Sequence, residues 1–134
     1  MSEFLLEIIT PSKQFFKGMA EQVICQTEDG EIGVLKGHST MVASLIIGEI
    51  KLKVGGEWKN AYISGGFMEV RNDEVLVFSN CCEWPDEIDA AKAEESRQKT
   101  LKLITHEQSV KEHRHNEIVL ARALARLKVK KYMQ

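Results

Sequence analysis

The hydrophobic positions of this chain change their period once along its length. Up to Ser79 they alternate or come in short bursts between turn residues, which predicts strands over Phe4 to Thr10, Glu21 to Thr27, Gly48 to Val54, Trp58 to Ser64, Phe67 to Arg71 and Glu74 to Ser79. Short strands at regular spacing predict a sandwich or barrel. Gly55-Gly56 follows the alternating Ile50, Lys51, Leu52, Lys53, Val54 and supplies the positive φ angles of a tight hairpin; Asn72-Asp73 does the same between Val70 and Val75. Neighbouring strands are therefore expected to run antiparallel. The glycines at Gly30, Gly33, Gly37 and Gly65-Gly66 stand where no simple hairpin needs them, and predict bulges or close backbone approaches.

At Pro85-Asp86 the β-branched and aromatic residues give way to DEIDAAKAEESRQKTLKLI, rich in Ala, Glu and Lys. A helix is expected there, with Asp86 as N-cap, Glu87 and Asp89 in its first turn, and Lys99 and Lys102 near its end, as the helix dipole favours. After a polar stretch from Thr105 to about Ser109, a second helix is expected to reach Val129, with Leu120, Leu124 and Leu127 along one face. The chain thus divides into residues 1–84, a β-sheet domain, and residues 85–134, an antiparallel helical hairpin, an α+β organisation. Facing alanines (Ala90, Ala91 and Ala93 against Ala121, Ala123 and Ala125) allow close approach but bury little area, so the hairpin should be only marginally self-supporting.

With 134 residues in two parts, neither part holds a large core. A hydrophobic share of 43%, a charged share of 28% and a net charge of -2 exclude a disordered chain and point neither toward nor away from nucleic acid. The N-terminus has no basic leader or long apolar run, and nowhere do the roughly 20 consecutive apolar residues of a membrane span occur. Direct membrane insertion is not expected; at a membrane, a partner would hold the chain. Cys25, Cys81 and Cys82 lack CxxC spacing and read as reduced thiols, the adjacent pair pointing to opposite faces of a strand.

No nucleophile elbow, phosphate loop, HExxH or dinucleotide fingerprint is present, so catalytic residues are expected to be absent. Gly30 to Gly33 has GxxG spacing without the Gly-Lys-Ser/Thr ending that opens a helix. His113 and His115 sit two apart, a metal-binding spacing on a strand but a divergent one on a helix, so no metal site is expected. His38 has no nucleophile or orienting carboxylate to work with and reads as a structural or contact residue. The C-terminus carries the strongest signal: Arg122, Arg126, Lys128, Lys130 and Lys131 place five cations in the last 13 residues with no acid among them. Arg122, Arg126 and Lys130 align on one face for an acidic protein segment, a nucleotide phosphate or nucleic acid. With Tyr132 the only aromatic nearby and the rest of the chain acidic on balance, an acidic protein fits best and nucleic acid least.

The order EDGEIGVLKGH at 28–38, SGGFMEV at 64–70, EIDAAKAEE at 87–95 and ARALARLKV at 121–129 resembles the ε subunit of bacterial F-type ATP synthases, across almost the whole chain. The resemblance implies a ten-stranded flattened β-sandwich at the foot of the rotary central stalk, contacting the γ subunit and the c-subunit ring, on the cytoplasmic face of the bacterial membrane. Residues matching Glu31 and His38 would then be contacts, the first toward the c ring and the second near γ. It also implies a mobile hairpin that either folds on the sandwich or extends along γ to acidic segments of the β (and α) subunits, where it blocks ATP hydrolysis; Arg114, Arg122, Arg126 and Lys128 are the candidates for that contact. Some members bind ATP in the closed hairpin, and the matching residues here are Glu83, Ile88, Asp89, Lys92, Ala93, Arg122 and Arg126. Lys92 replaces the arginine of that motif and loses its planar fork, so ATP is expected as a weak regulatory ligand at most, and no cofactor as a requirement. The prolines usual in the family's Pro-Gly-His-Ala-Pro loop are replaced in Lys36-Gly37-His38-Ser39-Thr40, which removes local rigidity.

Overall fold

The computed structural model describes residues 2–131, so Tyr132, noted above, lies outside the described residues. Eight strands form one continuous sheet: β1 (Phe4–Ile9), β2 (Gln14–Ala20), β3 (Gln22–Thr27), β4 (Gly30–Leu35), β5 (Met41–Val54), β6 (Glu57–Arg71), β7 (Glu74–Phe78) and the short β8 (Cys82–Glu83). Their order is β2-β1-β7-β6-β5-β3-β4, with β8 beside β6. All pairings are antiparallel except β1 with β7.

The sheet folds over on itself because its two central strands are long. β5 and β6 have 14 and 15 residues and pair from Met41↔Val70 to Val54↔Glu57, skipping only Ile46 opposite Gly65. At that gap Gly65 and Gly66 have φ of 90° and 131°, and a Cβ on Gly66 would stand 1.8 Å from the Phe78 carbonyl oxygen. This is the close approach expected of the pair: the ladder bends there, and only glycine lets β6 pass β7. The resemblance implies ten strands; eight are seen among the described residues, because β5 and β6 each serve both layers as a single strand.

Alternation supplies the core. Phe4, Leu6 and Ile8 of β1, Val23 and Cys25 of β3, Ile50 and Leu52 of β5, Ala61, Ile63 and Met68 of β6 and Val75 and Val77 of β7 all point into it. Gly55-Gly56 turns β5 into β6 with φ of 58° and 80°, and Asp73 (φ 62°) turns β6 into β7, as expected. β2, β4 and the first half of β5 were not expected: Gly18 interrupts β2, Gly30 and Gly33 read as bulges, and Met41 to Ile47 shows no apolar–polar alternation.

Beyond the sheet, α1 (Ala90–Ile104) and α2 (Val110–Lys131) form the hairpin. The helix starts later than expected, and Asp89 rather than Asp86 is its N-cap, accepting from the Lys92 amide at 3.0 Å. The reason is Ile88. Pro85–Glu87 makes a single tight turn, and Ile88 is then extended so that its side chain buries beneath α2. Trp84 fastens this junction to the sandwich by stacking on Phe15, with ring centroids 4.4 Å apart.

The leucine face is also a correction: Leu124 is 48% exposed, whereas Asn116, Ala123, Ala125 and Val129 are the buried residues of α2. Of the alanines, Ala93 and Ala123 are buried, Ala125 turns to the sandwich, and Ala91 faces solvent.

Candidate functional site

The hairpin lies closed on the sandwich, and its docking site gathers the residues singled out at the C-terminus. Ile88, Ala125 and Val129 cover Tyr62 of β6, with Ile47 and Cys81 at the margin. Arg126 grips Glu83 at the end of β8 through Nε (2.8 Å) and one terminal nitrogen (3.3 Å), and its guanidinium carbon sits 4.5 Å above the Tyr62 ring. One residue thus combines a forked ion pair with a cation–π contact. Burial is the largest single influence and disfavours the Arg126 charge, yet the hydrogen bond it donates to Glu83, together with the electrostatic pull of Tyr62, Glu83 and Cys81, outweighs burial and holds the group above its usual range.

One turn further on, Lys130 donates to the Pro85 carbonyl at 2.9 Å, and Asn60 of β6 donates to the Val129 carbonyl at 3.3 Å. Of the three aligned cations, two are therefore engaged within the molecule. Arg122 is exposed and faces a cleft of about 470 Å³ between the helices and β8. That cleft is lined by Glu83, Asp89, Lys92, Ala93, Arg122 and Arg126, all named from the sequence, together with Glu87, Ser96, Val119 and Ala123. Ile88 alone of the expected set is not on its wall; it belongs to the cluster beneath.

Tyr62 and Asn60 went unnoticed in the sequence, and Cys81 was read there only as a reduced thiol. The Tyr62 hydroxyl is buried with no hydrogen-bond partner among the described residues, and burial pushes its pKa up to about 12. Cys81 lies against the same cluster, with Arg126 3.9 Å from its Sγ, and burial raises its pKa too; Cys82 points the other way into the sandwich core.

The other expected contacts are elsewhere. Glu31, near the tip of the β3–β4 hairpin, is exposed and accepts from Gln26 at 3.1 Å. His38 follows β4, its Nδ1 2.9 Å from the Ser39 carbonyl, beside Arg71, Asp73 and Glu74. The two sit at opposite ends of a strand about 20 Å long. Arg114 and Lys128 are exposed on α2, outside the cleft. Among the described residues no group of three or more His, Cys, Asp or Glu is placed to hold a metal, and no helix is long and apolar enough to cross a membrane.

The chain is thus a folded-over sandwich carrying a docked helical hairpin. Two family models match it end to end: the β-sandwich domain of the ATP synthase delta/epsilon chain over residues 3–85, and the long α-helix domain of the same chain over residues 86–131. The chain belongs to the ATP synthase delta/epsilon family. Within it the similarity is to bacterial ATP synthase epsilon chains, non-catalytic subunits of the synthase. That of Caldanaerobacter subterraneus is 41% identical over 94% of this chain and 92% of its own length, and that of Ruminococcus albus 42% identical over 96% and 97%. A chain of the Euglena gracilis mitochondrial ATP synthase (OSCP/F1/c-ring) shares the fold, with a TM-score of 0.85 at 20% identity, covering 100% of this chain and 83% of that one. A chain of the Tetrahymena thermophila mitochondrial ATP synthase central stalk and c-ring does so with a TM-score of 0.71 at 13% identity, covering 94% and 95%.

Proposed function

We propose that this chain is a rotor subunit of a bacterial F-type ATP synthase, in which residues 1–84 couple γ to the c ring and residues 85–134 restrain ATP hydrolysis when the hairpin leaves the sandwich. It then sits peripherally on the cytoplasmic face of the membrane, held by the complex. Glu31 meets the c ring, His38 lies near γ, and in the released state Arg114, Arg122, Arg126 and Lys128 meet acidic segments of the β and α subunits.

One observation carries the mobile half of this reading. The sandwich is sealed by a core drawn from seven of its strands and β8, whereas the hairpin rests on Tyr62, Ile88, Ala125 and Val129. Beneath it lies a hydroxyl whose burial without a partner costs about 1–3 kcal/mol. Release would hydrate that hydroxyl and free Arg126 and Lys130 for another acidic surface. A docking interface this small fits an equilibrium between two states separated by a few kcal/mol.

The test is steady-state ATP hydrolysis by a matching catalytic head of α, β and γ subunits. Adding the full chain should lower the rate several-fold, and a chain ending at Trp84 should leave it unchanged while still binding γ. An unchanged rate with both would confine the role to coupling; failure of either to bind γ would overturn the assignment.

A second reading is favoured by the cleft. Its cations Lys92, Arg122 and Arg126 face a volume able to take a nucleotide, and ATP bound there would hold the hairpin closed. Glu83 already occupies Arg126, and Lys92 supplies a point charge where a fork would grip better, so weak binding is the expectation.

A further inference from the structure

The histidine pair on α2 separates in the structure: His115 faces solvent, while His113 is held between two carboxylates. Its Nδ1 lies 3.0 and 3.1 Å from the two oxygens of Glu107, in the connector between the helices, and its Nε2 lies 2.9 Å from Glu117, one turn further along α2. An ionised carboxylate only accepts hydrogen bonds, and a neutral imidazole has one N–H to give. Both contacts are satisfied together only by the imidazolium. With the proton lost, one carboxylate faces a ring lone pair.

Glu107 is placed to make this matter. Buried Asn116 of α2 donates to its Oε2 at 3.1 Å, so one connector side chain gathers two anchors from α2. A separate fastening follows in the chain, where the Ser109 hydroxyl accepts from the Glu112 amide at 3.0 Å and Glu112 accepts from the Gln108 amide at 3.2 Å. The charged groups acting on the His113 ring are Glu107, from the connector, and Glu117, from α2.

We propose that His113 is a protonation-dependent clasp: as imidazolium it ties the connector to α2 and keeps this end of the hairpin closed, and loss of its proton lets the connector open. The Glu107 hydrogen bond raises the His113 pKa, with its charge and that of Glu117 adding to it, and His113 in turn lowers that of Glu107. A raised imidazole pKa contributes stability that is complete below the ordinary histidine range and disappears as pH climbs through the folded value. A lowered carboxylate pKa contributes stability that is lost as pH falls through the depressed value. The clasp therefore holds between those limits and releases on the alkaline side.

The experiment is a pH titration of the full, isolated chain by NMR, following the His113 and His115 ring signals and amide hydrogen-exchange protection in the connector. It needs no hydrolysis assay, so its failure is distinct from failure of the inhibitory role. His113 should titrate above the ordinary histidine range, and connector protection should fall about two- to fivefold across the His113 transition while the last turn of α2 keeps its protection. Glu107→Gln should bring the His113 titration down toward the ordinary histidine range, and His113→Gln should abolish the pH dependence with helix content retained by circular dichroism. His113 titrating within or below the ordinary histidine range, or connector protection flat through its transition in the unmodified chain, would overturn the clasp.

Discussion

At Gly66 the missing side chain is the structural fact. Any Cβ there meets the Phe78 carbonyl oxygen and the Ser79 Cα, which are backbone atoms and cannot swing aside. Gly66→Ala should destabilise the protein by more than about 3 kcal/mol, read as a lowered denaturant midpoint. Gly37→Ala, at φ 85° in open space, should cost only about 1 kcal/mol. Equal effects at the two positions would remove the bend from the account of the fold. This pair was legible in the sequence because adjacent glycines away from a hairpin have few other uses. Tyr62 was not: its partner Arg126 is distant in the chain, and nothing local says that a strand tyrosine will lie beneath a helix arginine.

Helix ends and faces show the same division between local and tertiary causes. The change from strand to helix near residue 85 is local and was readable from composition. The true start at Asp89 was not, because the burial of Ile88 under α2 delays the helix. For the same reason the leucine spacing on α2 misled: Leu120, Leu124 and Leu127 form a regular stripe, but close approach to the sandwich selects the smaller Ala125 and Val129. The cleft was largely readable through the family resemblance, which named six of its lining residues, but the engagement of Arg126 and Lys130 within the molecule was not. At this scale the docking of α2 depends on Arg126. Arg126→Ala leaves Glu83 unpaired and uncovers the Tyr62 ring, and because solvent screens this partly exposed pair it should weaken docking by only about 1–2 kcal/mol. Hydrogen exchange should accelerate through the last three turns of α2 and not in β1 or β7. Acceleration spread evenly over the sandwich would mean that Arg126 supports the whole fold rather than the hairpin's position.

For the molecule taken as one body, if the hairpin leaves the sandwich as proposed, a ligand in the cleft would raise the population of the closed state by binding it alone. ATP should therefore raise the thermal midpoint slightly in the unmodified chain. In Lys92→Arg the regained fork should tighten binding about tenfold and enlarge the shift. If millimolar ATP moved neither midpoint, the nucleotide reading would fall and the rotor reading would stand. The same body has a mechanical aspect. The β5–β6 ladder crosses both layers, and its cross-strand bonds stand perpendicular to the strands. A force along it loads many bonds in parallel, like a shear lap joint, whereas the hairpin is fastened at a few points and can peel. Torque reaching the sandwich would turn it as a stiff block, leaving the hairpin as the compliant part.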